Sequence, residues 1–331
     1  MRILITGACG FLGHHVVEHF LRFTDWDIVG VDYLSYASSG YDRLRDIDAF
    51  DSKRVTIIGW DISHPAPAGV VREIGCVDYL LHLAAETHVD RSISDALPFV
   101  KSNALGTQNV INLVRENLPM LRLMVNFSTD EVFGPAPDGI YYREYDRFAP
   151  TNPYAATKAA AVYLCDAAVN THRLPICTTF TMNIFGERQD PEKFIPMCIK
   201  RVLAGQKIEI HADQERKRSG SRCWIHARNV AAALHWLLGG IAAKGQRYNI
   251  VGEEKTNLQI AQLVAREVGK PLEYELTNFH EQRPGHDLRY ALDGGKVAAM
   301  GWQYPRTLEE SLVKTVRWTL DSQRWLRGVG A

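Results

Sequence analysis

The stretch that decides the fold is RILITGACGFLGHHVVEHF, residues 2–20. A short apolar run leads into Gly7, Gly10 and Gly13, and a helical pattern begins near Phe11. Glycine lets the backbone turn tightly and approach a bound group closely, and the N–H groups that open a helix attract anions. The stretch therefore predicts a strand, a phosphate-binding turn and a helix, which is the opening unit of a dinucleotide-binding fold.

Similar apolar runs recur along the chain and are separated by segments of helix length. After residues 2–7 they occupy 27–32, 54–61, 78–85, 121–128 and 176–183. Continuous apolar strands joined by crossovers are typical of a parallel sheet that is covered on both faces. We expect an α/β fold with a doubly wound parallel sheet, in which ligands bind at the carboxyl ends of the strands.

The composition excludes several classes of protein. The 331 residues contain 38 basic and 38 acidic side chains, and the longest basic cluster, Arg216–Arg218, reads as a solvated loop or one that closes on a diphosphate. Because the charges balance, we expect no nucleic-acid partner. Because no apolar run reaches about 20 residues, we expect no membrane partner. The six cysteines form no CxxC pair and have no zinc-ligand spacing, which indicates reduced, buried thiols in a cytoplasmic enzyme.

The second strand ends at Asp32, 19 residues after Gly13. A carboxylate at this place accepts hydrogen bonds from the ribose diol of an adenine dinucleotide. The next basic residue after Asp32 is Arg43, so a 2'-phosphate would meet uncompensated repulsion. The predicted cofactor is therefore NAD rather than NADP.

His15 and His19 lie four residues apart on the first predicted helix, a spacing that also occurs at metal sites. The sequence offers no third ligand beside them. We therefore expect solvated helix surface at these two positions and no metal.

The C-terminal part is less regular, with more Pro and Gly and with helices predicted near 192–204, 226–238, 257–268 and 308–319. This pattern predicts a smaller C-terminal α/β substrate lobe. We expect an NAD-binding Rossmann domain at 1–183, to which 226–251 returns. The substrate lobe would comprise 184–225 and 252–331.

A Tyr-x-x-x-Lys pair occurs in NPYAATKAAA, residues 152–161. Tyr154 and Lys158 are four apart, so both side chains lie on one face of a helix, and the ammonium is expected to lower the pKa of the phenol. Together with the Gly-x-x-Gly-x-x-Gly turn, the pair resembles the extended short-chain dehydrogenase/reductase superfamily. In that setting the pair would remove a hydroxyl proton while hydride leaves for the nicotinamide.

Two neighbouring carboxylates, Asp130 and Glu131, follow the apolar strand in FSTDEVFG, residues 127–134. Past the end of the strand both can face a ligand, and two carboxyls in different environments can serve as acid and base for the elimination of water. The alternative is that they cap the next turn.

Five segments resemble the nucleotide-sugar 4,6-dehydratases and span nearly the whole chain in the family's order. They are HLAAETHVDRS (82–92), STDEVFG (128–134), TNPYAATKA (151–159), PEKFIP (191–196) and RPGHDLRYALD (283–293). The resemblance implies that a nucleotide-activated hexose of the dTDP-glucose or UDP-glucose type is oxidised at C4, dehydrated across C5 and C6, and reduced at C6. Tyr154, Lys158 and Thr129 would act at C4, with Glu131 as base and Asp130 as acid.

The resemblance also implies the remaining site residues. Those expected at the cofactor, besides Tyr154 and Lys158, are Gly7, Gly10, Phe11, Leu12, Gly13, Asp32, Leu34, Ser35, Asp61, Ile62, Leu83, Ala84, Ala85, Ser102 and Asn103. Those expected at the sugar nucleotide are Thr87, His88, Thr129, Asn183, Lys193, Arg222, Asn257, Arg283 and His286. Surface salt bridges are the alternative for the cationic members. The superfamily commonly forms homodimers through helices equivalent to those near 97–117 and 154–169.

The chain departs from the family's pattern in the C-terminal part, from residue 184 onward. Ile184 replaces a second asparagine, ERQD at 187–190 replaces aromatic and proline residues, and the stretch before Arg222 is longer. Cys223 and Asn229 stand where acids are usual. These differences leave the nucleotide base and the hexose substituents open.

Two alternatives to the dehydratase remain at this stage. One is another NAD-retaining nucleotide-sugar enzyme, an epimerase or a dehydratase of different regiochemistry. The other is a catalytically silent NAD-binding regulatory protein, against which the presence of Thr129, Asp130, Glu131, Tyr154 and Lys158 argues.

Overall fold

The structure, a computed structural model, describes residues 1–35, 38–278 and 288–327. The strands in these ranges are β1 Arg2–Thr6, β2 Asp27–Asp32, β3 Val55–Gly59, β4 Tyr79–His82, β5 Leu123–Thr129, β6 Ile176–Thr181, β7 Asn183–Phe185, β8 Ile208–Ala212, β9 Ser221–His226, β10 Arg247–Ile250, β11 Glu253–Thr256 and β12 Tyr274–Asn278. The α-helices are α1 Phe11–Phe23, α2 Asp42–Arg45, α3 Ala68–Ile74, α4 Val89–Ser94, α5 Leu97–Phe99, α6 Gly106–Asn117, α7 Pro153–His172, α8 Phe194–Leu203, α9 Ala227–Trp236, α10 Asn257–Val268, α11 Gly295–Ala299 and α12 Leu308–Asp321. A π-helical segment, Val100–Leu105, connects α5 to α6, and a second, Leu237–Ile241, follows α9.

A seven-stranded sheet forms the centre of the molecule, in the order β10-β6-β5-β4-β1-β2-β3. Every neighbouring pair in it is parallel. All carboxyl ends therefore meet at one edge, which confirms the doubly wound α/β fold. The six apolar runs supply six of the strands, and β10 comes from the stretch 226–251.

Helices cover both faces of this sheet because side chains alternate along each strand. Ile3 and Ile5 of β1 pack in one apolar cluster with α1 and α9, and Leu4 packs on the other face with α6. Each fully buried side chain of this size contributes about 1.5–3 kcal/mol to stability. The two faces together hold the carboxyl edge of the sheet rigid.

The C-terminal elements form a separate apolar cluster from α8, α10 and α12. A three-stranded sheet, β11-β9-β7, and the parallel pair β12-β8 lie beside them. Local signals define these helices: Thr256 and Gln259 form a capping box at the start of α10, and Gly269 ends it in the left-handed conformation. The four helices predicted in this half are confirmed as α8, α9, α10 and α12.

The prediction that His15 and His19 belong to solvated helix surface is wrong. The His15 side chain is fully buried, and its Nε2 lies 3.1 Å from the Glu187 carbonyl oxygen. His19 is partly buried, with Nε2 3.1 Å from Nδ1 of His235 in α9. The reason is that α1 packs between the sheet and α9, so polar side chains on that side pair inside the protein. Burial lowers the pKa of both rings, so both are neutral.

The prediction of reduced, buried cysteines holds with one exception. All six are free, and five of them are buried, but Cys76 is exposed. Cys76 lies in the short loop between α3 and β4, where the chain runs along the surface.

Candidate active site

A cavity of about 560 Å³ opens at the carboxyl edge of the sheet. This volume lies in the range of ligand-binding clefts. Most of the predicted site residues line it. They are Gly7, Gly10, Phe11, Leu12, Gly13, Asp32, Ser35, Asp61, Ile62, Leu83, Ala84, Ala85, Thr87, His88, Ser102, Thr129, Asp130, Glu131, Tyr154, Lys158, Asn183 and Lys193.

The turn after β1 has no room for a side chain at Gly7 or at Gly13. Gly7 has φ +74°, and a Cβ there would lie 2.9 Å from the backbone of Ala84. A Cβ on Gly13 would lie 1.9 Å from the Gly7 carbonyl oxygen. The N-cap of α1 is Gly10, which offers the helix no side-chain acceptor. A narrow turn with glycines at these positions, at the positive end of a helix, fits the pyrophosphate of a dinucleotide.

Asp32 lies at the end of β2 beside this turn. Its carboxylate accepts the N–H of Cys9 at 2.9 Å and that of Leu34 at 2.8 Å, which fixes its orientation. Burial raises the pKa of Asp32, and these hydrogen bonds oppose the rise. Leu34 itself does not line the cavity, but its N–H helps to position this carboxylate.

Arg43 changes one premise of the NAD prediction. The sequence places it eleven residues after Asp32, but α2 brings its fully buried guanidinium into the cavity wall, close enough to lower the pKa of Asp32. Nε of Arg43 donates to the Arg188 carbonyl at 3.0 Å, and Nη1 lies 3.5 Å from the Cys9 carbonyl. A cation is therefore present near Asp32, held by protein acceptors.

Helix α7 presents Tyr154 and Lys158 to the cavity. Asn152 is its N-cap and accepts the Ala155 N–H at 2.8 Å, and Pro153 occupies the first helical position, where an N–H is not needed. The Tyr154 N–H donates to Ser92 Oγ at 3.2 Å. The start of the helix is thus hydrogen-bonded at each available donor of its first three residues, which fixes the position of Tyr154.

The prediction that Lys158 lowers the pKa of Tyr154 is wrong. Burial, followed by the charge of Glu131, raises the pKa of the phenol well above its usual value, while a hydrogen bond with Thr129 opposes this. The Lys158 ammonium donates to the Phe127 carbonyl at 2.6 Å, and burial lowers its pKa to about 8. Without ligands, therefore, the phenol is protonated.

Thr129, Asp130 and Glu131 form the turn that follows β5. Thr129 caps it by accepting the Glu131 N–H at 3.4 Å, and its hydroxyl donates to Asp130 Oδ1 at 3.0 Å. Burial, followed by the charge of Glu131, raises the pKa of Asp130 to about 7. Because both carboxyls line the cavity, the site holds a carboxylic acid beside a carboxylate. The acids lie in the turn without acting as its cap.

Polar groups also surround the opposite wall. Lys193 lines the cavity, and burial lowers its pKa. Nε2 of His88 lies 3.2 Å from a carboxylate oxygen of Glu192, the residue before Lys193. This contact ties the loop after β4 to the start of α8.

Some predicted residues do not line the cavity. Asn103 hydrogen-bonds Glu86 and Thr157 and so supports the loop after β4 from behind. Arg222 donates to the Ser221 and Leu288 carbonyls, and its charge still reaches Asp130.

Three further predicted residues lie outside the cavity wall or outside the described residues. Asn257 begins α10, next to Gly220, and is not in the wall. Arg283 and His286 lie outside the described residues.

Residues 184–190, where the chain departs from the family's pattern, connect the two halves of the chain. Ile184, Gln189 and Asp190 line the cavity. The Glu187 carboxylate lies 3.2 Å from Nε2 of His226 and 2.7 Å from Nη1 of Arg228. Arg188 pairs with Asp46, and its guanidinium lies 4.6 Å from the Trp318 ring centre.

The basic cluster before Arg222 is exposed, and Arg218 pairs there with Asp138. Neither Arg216 nor its two neighbours lines the cavity, which favours the solvated loop over a loop that closes on a diphosphate.

Sequence reasoning did not assign site roles to Arg43, Lys101 and Trp224, which line the cavity, or to Asn152, which contacts Glu131. Arg43 is eleven residues from Asp32 in the sequence, and no local pattern places it at the cavity. An asparagine before Pro-Tyr is a recognisable N-cap signal, and it was the one available hint for Asn152.

Comparisons with known proteins agree with this geometry. Residues 3–251 match the model of the NAD dependent epimerase/dehydratase family. The chain is 35% identical to dTDP-glucose 4,6-dehydratase of Salmonella typhimurium, with 99% of this chain and 95% of that protein covered. It is 33% identical to a trifunctional UDP-glucose 4,6-dehydratase of Arabidopsis thaliana, over 98% of this chain and 48% of that protein.

The fold was also compared with solved structures. The crystal structure of dTDP-glucose 4,6-dehydratase from Streptomyces venezuelae, with NAD bound, matches with a TM-score of 0.87 at 31% identity. The match covers 99% of this chain and all of that one. In the described part of this chain no helix combines the length and the apolar character needed to cross a bilayer.

Proposed function

This chain belongs to the NAD dependent epimerase/dehydratase family, and we propose that within it the chain is a nucleotide-sugar 4,6-dehydratase, a hydro-lyase that uses NAD. Its substrate is a nucleotide-activated hexose of the dTDP-glucose or UDP-glucose type, and its product is the 4-keto-6-deoxy sugar. The similar proteins that carry out this reaction cover nearly the whole chain.

The observation that carries the proposal is the pair Asp130 and Glu131 on the cavity that also holds Tyr154 and Lys158. Oxidation at C4 alone needs only the Tyr and Lys pair. Elimination of water needs an additional acid and base, and a carboxyl with a pKa of about 7 beside a second carboxylate supplies both.

The first step assigns Tyr154 and Thr129 to the C4 hydroxyl. When bound, NAD supplies the acceptor for the C4 hydride and returns that hydride to C6. Tyr154 would act as the phenolate, so the phenol of the ligand-free site first gives its proton to solvent, a loss that the Lys158 ammonium, held on the Phe127 carbonyl, favours. The phenolate then takes the hydroxyl proton and becomes a phenol again.

The second step assigns elimination to the two carboxyls. The 4-ketone acidifies the C5 hydrogen, which Glu131 removes, and Asp130 gives its proton to the departing C6 hydroxyl, which leaves as water. When hydride returns to C6, C5 takes back a proton, and the 4-keto-6-deoxy sugar results. Burial raises the pKa of Asp130 to about 7, so part of the protein holds the protonated acid at neutral pH.

We assign the cofactor to the turn after β1, where the lack of side chains at Gly7, Gly10 and Gly13 supports a pyrophosphate. Asp32 would accept hydrogen bonds from the adenosine ribose, and Asp61 and Ile62 would lie near the adenine. Leu83, Ala84, Ala85 and Ser102 would form the wall beside the nicotinamide half.

We assign the sugar nucleotide to the opposite wall. Thr87, His88 and Asn183 would contact the hexose side, and Lys193 would neutralise the diphosphate. Arg222, Asn257, Arg283 and His286 remain predicted nucleotide contacts. The apolar Ile184 in the wall supports a hexose or base that offers no hydrogen bond at that position.

The test is to incubate the purified protein with dTDP-glucose, UDP-glucose, CDP-glucose, GDP-mannose and UDP-N-acetylglucosamine. Mass spectrometry should detect loss of one water from at least one of them. Inversion at C4 without loss of water would favour an epimerase, and failure to bind or turn over any of them would favour the silent NAD-binding protein.

We further propose that residues 1–183 with 226–251 bind the cofactor, and that 184–225 with 252–331 bind the sugar nucleotide. The pairing of β10 with β6 and the separate apolar cluster of α8, α10 and α12 support this division.

We also propose a homodimer in the cytoplasm. Leu97, Val100, Leu105 and Tyr163 leave apolar surface exposed on and beside α5, α6 and α7, which supports a second copy as the partner. Light scattering should give the mass of two chains, and a Leu105→Lys variant should shift that mass toward one. The free thiols support a reducing compartment.

A further inference from the structure

Asn152 joins two parts of the active site that are 21 residues apart in sequence. Its Nδ2 lies 3.0 Å from Glu131 Oε2, and its Oδ1 lies 2.8 Å from the Ala155 backbone nitrogen. The two contacts fix the orientation of the amide, because the Ala155 N–H requires an oxygen and leaves the NH₂ group for the carboxylate. The side chain is almost fully buried, at 5% exposed, so little water competes for either bond.

The same side chain defines where α7 begins. Pro153 follows it and Tyr154 comes next, so the residue that contacts Glu131 also fixes the backbone that carries the phenol. A shift of Asn152 would therefore change the position of Glu131 relative to Tyr154. Elimination depends on that relation, because Tyr154 acts at C4 and Glu131 at the adjacent C5.

Glu131 needs such a partner. Asp130 is its neighbour, and each carboxyl disfavours negative charge on the other. Lys193 exerts an attractive charge from the opposite wall. The Asn152 amide adds a directional donor to one carboxylate oxygen, Oε2.

We propose that Asn152 is a positioning residue for the elimination step, which orients the carboxylate of Glu131 against the start of α7. The inference rests on the proposed function and deepens it. Asn152 is not assigned any contact with substrate, so its effect passes through Glu131.

The most informative variant is Asn152→Asp, because it separates the N-cap from the donor to Glu131. Aspartate has the same shape and remains a good N-cap, so α7 keeps its start, but a carboxylate replaces the NH₂ donor beside Glu131. Asn152→Ser also keeps a capping oxygen and simply removes the donor. Loss of one hydrogen bond to a charged group corresponds to roughly a tenfold to hundredfold change, so we expect elimination to slow by that factor in Asn152→Ser and by more in Asn152→Asp.

Absorbance of the reduced nicotinamide separates positioning from general damage. On mixing with the nucleotide sugar that the wild type dehydrates, both variants should accumulate NADH, because the C4 proton and hydride do not pass through Glu131 and elimination is the step that slows most. The matched control is Thr307→Ala, which removes the N-cap of α12 in the other half of the chain and should not accumulate NADH.

A second measurement needs no substrate. Urea midpoints of Asn152→Ser, Glu131→Ala and the double variant form a cycle, and we expect the double variant to lose less than the sum of the two singles. Additive midpoints would overturn the inference, as would Asn152→Asp eliminating water at the wild-type rate or slowing oxidation and elimination equally. If the wild type itself dehydrates no nucleotide sugar, the proposed function fails, and the cycle still decides whether Asn152 and Glu131 are coupled.

Discussion

Asp130 should make the folded protein less stable as the pH rises, and its replacement by asparagine should remove this loss of stability. The carboxyl is buried, with 6% of the residue exposed, and burial together with Glu131 raises its pKa from 3.8 to about 7. At pH values between 3.8 and about 7, the Asp130 carboxyl of the folded chain binds a proton that the unfolded chain has released. Stability contributed by this group is therefore lost as the pH rises through that window and stays constant above it.

The magnitude follows from the size of the shift. One pKa unit corresponds to about 1.36 kcal/mol, so the buried charge costs about 4 kcal/mol of unfolding free energy at pH 8 and roughly 1.5 kcal/mol at pH 5. An asparagine in place of Asp130 would have the same shape and could still accept the Thr129 hydroxyl, which lies 3.0 Å from Oδ1. Asp130→Asn should therefore be more stable than the wild type, by a margin that grows between these pH values.

The assay is urea unfolding of both proteins without ligands at pH 5, 6, 7 and 8. Asp51→Asn is the matched control, because Asp51 is exposed and the same change there should leave stability unaltered at every pH. In a Glu131→Gln background the gain should shrink, since one cause of the raised pKa has been removed.

A gain that is equal at pH 5 and pH 8 would refute the reasoning, because it would show that charge is not its source. No gain at pH 8 would refute it as well. In either case Asp130 would be an ordinary carboxylate at neutral pH, and its role as the acid would lose its physical basis.

Three further predictions follow from the same geometry. Glu131→Gln should still form NADH with substrate, seen by absorbance, while loss of water slows; intact elimination with no hydride transfer would contradict the role of Glu131. The wild-type elimination rate, which requires protonated Asp130, should fall about tenfold per pH unit above about pH 7, and a flat alkaline limb would contradict it. Asp32→Ser leaves Arg43 in the cavity wall, so calorimetry should show the ratio of NADP to NAD affinity rising about tenfold or more, whereas Asp51→Ser should not change it.

Local patterns in the sequence predicted the sheet, the glycine turn, Asp32, the two acids, and the Tyr154 and Lys158 pair, while the resemblance implied the other predicted residues of the cavity wall. The apolar runs follow from burial on both faces, the glycines from a tight turn, and the Tyr154 and Lys158 pair from helical periodicity. Each of these depends on neighbours within a few residues. The roles implied by the resemblance agree with where these residues lie, and they remain to be tested by the variants above.

Features that depend on distant parts of the chain were not predictable in this way. His15 is buried against Glu187 and His226, which lie more than 170 residues later in the chain. Arg43 enters the cavity because α2 folds back, and the raised pKa of Tyr154 depends on burial and Glu131. Periodicity reports which face of an element is apolar, but it does not report which partner covers a polar side chain.

The segment 187–190 has a consequence for protein engineering. Glu187 contacts His15, His226 and Arg228, and Arg188 contacts Arg43, Asp46 and Trp318, so this short stretch bonds to elements from both ends of the chain. A chimera that took residues 184–225 and 252–331 from a relative would separate these partners and leave buried charges without them. The lobe that we propose for the sugar nucleotide is therefore not an exchangeable module, and a successful transplant would have to carry α2 and the polar side of α1 with it.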